Sequence, residues 1–302
     1  MQLKLISTIL GNKQSAALYG QIVPPFNSRS IILRKVLNSQ IKEIEYPSSR
    51  RFTFDVGKIG REKHHVRALL EVDVSDARNK IKLYRRSGNK ASFVAWLIKL
   101  IADCVALHPP INGINRPRGN KVIVFSDVDV SLVIEKEVEG ARVPLPLVIR
   151  KADQKTVNQI TLEIEAAKSQ IFEDEGDYVL GKKQNPLVMK LFTMLPQGLR
   201  LLLMRKFVFN NPQRLKDMMG TVMVTTAGMV GHTRGWIMPY SIHPLSLAFG
   251  SLSKQAVVNQ GEIQIREILH LTVSVDHDVI DGVPAARFVD DLVIKMGKGF
   301  GL

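Results

Sequence analysis

The stretch from His270 to Phe288 reads His-Leu-Thr-Val-Ser-Val-Asp-His-Asp-Val-Ile-Asp-Gly-Val-Pro-Ala-Ala-Arg-Phe, and it leaves the chain little choice of local fold. Leu271, Val273 and Val275 alternate with Thr272 and Ser274, the period-two pattern of a half-buried strand. Pro284, followed by Ala285, Ala286, Phe288 and Val289, predicts a helix start. His277 therefore sits on the turn between a strand and a helix. Four residues on, Asp281 precedes Gly282, which supplies the freedom a tight turn needs and leaves room for a ligand or a neighbouring chain. A base and a carboxylate share one short loop.

The same alternation of strand and helix patterns runs along most of the chain. Residues 1–48 form a mixed leader with a helix expected from Ser30 to Ile44, and residues 49–302 form an α/β domain. Within that domain a strand is expected at Val66–Val74, a helix opening at Ser75-Asp76, and a long apolar helix around Ser92–Leu107. Strands follow at Lys121–Phe125 and Val128–Glu135. Prolines 144 and 146 forbid a helix over Arg142–Arg150, so that run is extended, and Thr156–Ser169 makes an amphipathic helix.

The pattern His-x-x-x-Asp-Gly, here His277, Asp281 and Gly282, resembles the active-site signature of the chloramphenicol acetyltransferase-like acyltransferases. With its flanks, Asp276 before it and Val283-Pro-Ala-Ala-Arg-Phe288 after, it resembles more specifically the catalytic domain of the dihydrolipoamide acyltransferase component of 2-oxoacid dehydrogenase complexes. Further pieces resemble that domain in the same order: Glu71-Val-Asp-Val-Ser75, the Ser92 helix, Pro110-Ile-Asn112, Val143–Arg150, Ala152-Asp-Gln-Lys155 and Gly220–Gly231. The resemblance implies a mixed sheet flanked by helices, the chloramphenicol acetyltransferase-like fold.

It also implies a chemistry. Acyl transfer from a thioester needs a base of near-neutral pKa, and histidine meets that requirement best. The resemblance makes His277 that base, acting directly on the acceptor in a ternary complex with acyl-CoA and without a covalent acyl-enzyme. A tetrahedral intermediate needs a preorganised hydrogen-bond donor for its oxyanion. The family's Gly-Thr-Phe-Thr-Ile-Ser/Thr-Asn-x-Gly motif maps that hydroxyl onto Thr225, with Gly228 as turn support; Thr226 stands where the family usually has Asn. Asp281 has two readings, orienting the imidazole or bracing the loop. The family favours a brace paired with an arginine, for which Arg50 and Arg51 are candidates. The resemblance further implies a homotrimer whose sites combine His277 of one subunit with Thr225 of the next, a larger cage as a family option, and a lipoyl group on a separate protein as acceptor. The sequence contains no lipoyl segment, subunit-binding module or Ala/Pro-rich linker, so a freestanding catalytic domain is expected and the acceptor is open between a lipoyl group, a small molecule and a lipid.

Composition narrows the remaining classes. Forty-two Lys and Arg against twenty-eight Asp and Glu give a formal charge of +14, which favours anionic partners such as coenzyme A, an acidic domain or a lipid surface. The basic residues are scattered without interleaved aromatics, which argues against nucleic acid. Cys104 lies in an apolar helix and reads as a structural thiol; one cysteine allows no disulfide framework, and a reducing cytoplasm fits. The histidines show no metal-ligand spacing, and no phosphate loop or Gly-x-Ser-x-Gly elbow is present. Residues 170–212 form an apolar insert, expected as two short helices broken at Pro196-Gln197-Gly198. It reads as extra core, an oligomer contact, an acyl lid or a patch resting on lipid. Two alternatives to catalysis stand beside the main reading, a silent trimeric scaffold and a membrane-surface protein.

Overall fold

A computed structural model describes residues 50–116, 121–138, 141–169, 186–226, 229 and 233–302. The expected leader helix, Gly228, His232 and residues 170–185 of the insert lie outside the described residues.

The domain is built on a mixed sheet. Its strands are β1 (His65–Asp73), β4 (Val130–Val138), β5 (Ala141–Ile149), β6 (Val222–Thr225), β7 (Leu245–Asn259) and β8 (Glu262–Asp276), with β2 (Ile114–Asn115) and β3 (Val122–Ile123) forming a separate two-residue ladder. The order across the sheet is β1-β8-β7-β6-β4-β5. β6 runs parallel to both of its neighbours, and the other pairs are antiparallel. The two prolines of β5 are tolerated because β5 is an edge, where a missing N–H interrupts no inner ladder.

Helices cover one face. α2 (Ser75–Arg86), α3 (Phe93–Leu107), α4 (Val157–Ser169) and α8 (Gly282–Lys298) bury a core in which Trp96, Leu97, Ile101, Phe249 and Phe288 are fully enclosed. α3 is apolar almost all round because it lies in the middle of this layer, and the Ser92 hydroxyl caps it by accepting from Ala95 N at 3.0 Å. Cys104 is buried within it, and burial pushes its thiol up to about 12, the behaviour of a structural cysteine.

A second, smaller core holds the expected insert. α1 (Arg50–Gly60), α5 (Pro186–Met194), α6 (Gln197–Met204), a π turn (Arg205–Phe209) and α7 (Pro212–Met219) meet through Ile59, Leu201, Met204, Leu215 and Met219. The insert breaks at Leu195-Pro196, and Gln197 and Gly198, expected within the break, open α6 instead. Its tie to α1 is a buried ion pair: Arg200 donates to both carboxylate oxygens of Asp55, at 2.7 and 3.0 Å, and to Leu195 O at 2.7 Å.

Candidate active site

The turn after β8 is held from both sides. Asp276, the last strand residue, is fully buried; its carboxylate accepts from Lys63 Nζ at 2.7 Å, and its backbone N donates to Pro244 O at 2.8 Å. Val279 N donates to Asp276 O at 3.0 Å and closes the turn. His277 N donates to His64 O at 3.0 Å. The ring of His64 in turn meets Asp278 at 2.9 Å, and that contact raises the His64 pKa. The backbone of His277 is thus fixed while its side chain stays exposed, and its ring makes no hydrogen bond among the described residues.

His277 stands at the mouth of a pocket of about 400 Å³ between β1, β8 and α8. The walls are apolar, chiefly Ala68, Leu70, Val273, Ile280, Ala285 and Val289. Gly282 also lines it.

Thr225 ends β6, and the motif residues of the sequence converge on the other end of that strand. Asn112 Nδ2 donates to Thr221 Oγ1 at 3.0 Å, both buried. Arg150 donates to Asp129 Oδ2 at 2.8 Å and to Lys216 O at 2.9 Å, which fixes α7 against β4. Thr221 N and Val222 N both donate to Asp129 O. Gly220 permits this approach: its φ is +74°, and a Cβ there would lie 2.8 Å from the same carbonyl oxygen. Asn112, Arg150 and Gly220, scattered over more than a hundred residues, are all parts of one mount for β6. Thr225 itself is buried and shares a sheet face with Thr272, since both register on Ala248; Ser246 and Ser274 lie on the same face. The hydroxyls of Ser246, Thr272 and Ser274 are buried with no hydrogen-bond partner among the described residues.

The fold does not bring His277 and Thr225 together within one chain. Thr225 lies in register with Thr272, two strands across and five residues before His277, a separation of about 19 Å. The faces differ as well: the His277 pocket opens on the helix side with Val273 and Val275, whereas Thr225 points to the side of Ser246 and Ser274.

Other expected site residues fall as follows. Asp281 is exposed at the N-cap position of α8 in an extended conformation, without a side-chain capping bond. No ion pair joins it to Arg50 or Arg51 among the described residues; Arg51 donates instead to Thr193 O at 2.6 Å. The two arginines open α1, whose eleven residues span about 16 Å, and only the chain after that helix reaches the His277 turn. The turn-forming role expected of Gly282 is corrected: it has no positive φ, and a Cβ would meet nothing within 4 Å, because residues 276–280 complete the turn before it. Thr226 follows β6 half-buried, its carbonyl accepting from Met229 N at 3.0 Å. Sequence reasoning missed Lys63 and Asp129, braces whose partners are distant in sequence and leave no local pattern. No metal-binding group of three or more His, Cys, Asp or Glu occurs among the described residues.

Comparison with known families decides what this arrangement belongs to. The family model described as the 2-oxoacid dehydrogenases acyltransferase catalytic domain matches residues 60–174 and 210–295. The chain belongs to this acyltransferase family. Among curated relatives, the lipoamide acyltransferase component of the branched-chain alpha-keto acid dehydrogenase complex of Bacillus subtilis is 25% identical over 232 residues, covering 74% of this chain and 45% of the relative. The dihydrolipoyllysine-residue acetyltransferase component of the pyruvate dehydrogenase complex of Mycoplasma genitalium is 25% identical over 219 residues, covering 69% and 46%. The chain thus spans about half the length of the curated relatives it matches. Solved structures agree on the fold. A probable dihydrolipoamide acetyltransferase from Listeria monocytogenes superposes with TM-score 0.60 at 22% identity, covering 86% of this chain and 96% of the other. The cubic core of the pyruvate dehydrogenase multienzyme complex gives 0.58 at 20%, covering 91% and 96%. The mixed sheet flanked by helices expected from the sequence is therefore the family's fold.

Proposed function

We propose that this chain transfers an acyl group between coenzyme A and a thiol acceptor, with His277 as general base and with each site shared between two subunits of a homotrimer. The observation that carries the reading is the placement of His277: a braced backbone, an unengaged ring and an apolar pocket beside it, in a chain of an acyltransferase family. His277 takes the proton of the acceptor thiol as the sulfur attacks the thioester carbonyl. The new C–S bond forms, the carbonyl oxygen becomes an oxyanion, and Thr225 of a neighbouring subunit donates its hydroxyl proton in a hydrogen bond to it. Collapse expels the CoA thiolate, which recovers the proton from the imidazolium. A pocket of about 400 Å³ beside His277, mostly apolar with Arg67 and Asp290 as its charged lining residues, suits an acyl chain held out of water.

Asp281, at the start of α8, braces the loop in this reading, and its acidic side chain is favourably placed at a helix N-terminus. The acceptor is a dihydrolipoyl group on a separate protein, by analogy with the names of the relatives, and assembly beyond the trimer follows the same analogy.

A thiol-release assay with a panel of acyl-CoA donors and dihydrolipoamide, or a free lipoyl domain, tests the proposal. Transfer is expected with the native chain and a drop of about 10²–10⁴-fold in His277→Ala, the usual worth of a positioned base. Absence of transfer with every donor, from protein verified as trimeric, would favour the scaffold reading instead.

A further inference from the structure

The family match passes over residues 175–209, so α5, α6 and the π turn are an addition to the shared domain. We propose that this addition docks the protein on an anionic lipid surface. The proposal is independent of the acyl-transfer reading.

The exposed side chains of the addition are apolar and periodic. α5 presents Leu191 and Met194 three residues apart, and α6 presents Leu199 and Leu202 at the same spacing; Leu191 is 66% exposed and Leu202 62%. Phe207 is exposed in the turn that follows. Lys206 lies four residues beyond Leu202, on the same stripe, with its Nζ 5.6 Å from the centre of the Phe207 ring. This face is no failed core, because the opposite side of α6 is already satisfied by the Arg200–Asp55 pair and by Leu201 and Met204 in the second core, against which Phe192 of α5 also packs.

Charge selects the occupant. No Asp or Glu occurs from Tyr178 to Lys216, a stretch that carries eight Lys and Arg. Arg200, Arg205 and Lys216 are answered by Asp55, Glu62 and Asp127, which leaves Lys206 and Arg214 exposed without a carboxylate partner among the described residues. A second copy meeting this face would set Lys206 against its own counterpart, with no acidic residue in α5, α6 or the π turn to answer it. An anionic bilayer supplies acyl chains for the leucines and negative headgroups for the lysines at once. α5 and α6, with nine and eight residues, are each about 12–14 Å long and lie in the plane of such a surface. No helix of the described residues is long and apolar enough to cross a membrane.

The test is co-sedimentation of the full chain with phosphatidylcholine vesicles, with and without about a third phosphatidylglycerol, beside Leu191→Asp/Leu202→Asp and Lys206→Glu. The native chain should pellet with the anionic vesicles. The double leucine variant should bind about a hundredfold more weakly, roughly tenfold for each leucine withheld from the interface, with unchanged circular dichroism and elution volume. Lys206→Glu, which leaves every leucine in place, should also weaken binding. The proposal is overturned if the native chain stays in the supernatant with every vesicle, or if the leucine variant binds as well as the native chain. It is equally overturned if the only effect of the leucine changes is a smaller elution volume for the native chain than for the variant, which would assign the face to a second copy.

Discussion

His277 is positioned by its neighbours' backbones and by one buried carboxylate, and the residues around it divide cleanly into those the turn needs and those it does not. Asp276 belongs to the first group, since it is fully buried and its counter-ion is Lys63. Gly282 belongs to the second. Replacing it with Ala should leave stability within about 0.5 kcal/mol, because its backbone is ordinary and a Cβ would enter open space. Thermal unfolding of Gly282→Ala checks this. A loss of turnover in a variant of native stability would then mean that substrate or a neighbouring subunit passes close to that Cα. The residue-level signature around His277 was legible because its members are consecutive. Lys63 was not, since it lies 213 residues from Asp276 and an isolated lysine carries no pattern.

At the scale of elements, legibility followed periodicity. The strand expected at Val66–Val74 appears as His65–Asp73, and the helices at Ser75 and Ser92 begin where their polar residues indicated. The strand Lys121–Phe125 shrinks to Val122–Ile123, and the strand Leu271–Val275 proves to be the end of one that starts at Glu262. β7 gave no expectation at all. Its first seven residues are buried whichever face they point to, so they do not alternate, and an irregularity between Phe249 and Leu252 shifts the register further on. The insert helices were legible from their apolar runs and Pro196, but their anchor was not. Arg200→Ala should destabilise the protein by about 3–5 kcal/mol, because Asp55 would remain completely buried without its cation. Urea unfolding monitored by circular dichroism measures the loss, and a change below about 1 kcal/mol would mean that Asp55 reaches water in the variant.

At the scale of the molecule, stability should depend on pH through buried imidazoles. His243 Nε2 donates to Met219 O at 2.9 Å, so its Nδ1 is the acceptor for the Ser241 hydroxyl at 3.0 Å; burial lowers its pKa from 6.5 to about 4. Burial lowers the pKa of His65 as well. A histidine whose folded pKa is depressed favours the folded state above its unfolded pKa and loses that contribution as pH falls. For His243 the loss runs from pH 6.5 down to about 4 and amounts to something on the order of 3 kcal/mol. Urea midpoints between pH 8 and about 4.5 should fall accordingly, and less steeply in His243→Asn than in the native chain. An equal slope in both would remove His243 as the source.

The separation of His277 from Thr225, on opposite faces and about 19 Å apart within one chain, has a genetic consequence. On the proposed shared site, two defective alleles, one encoding His277→Ala and the other Thr225→Val, should each lose nearly all turnover and yet rescue one another when co-expressed. In randomly mixed threefold rings from equal amounts of the two chains, a histidine donor meets a threonine donor in the correct order at about one site in four. Recovery of about a quarter of the native rate from two inactive parents is the expected count, and none from well-mixed rings would require both groups to act within one chain.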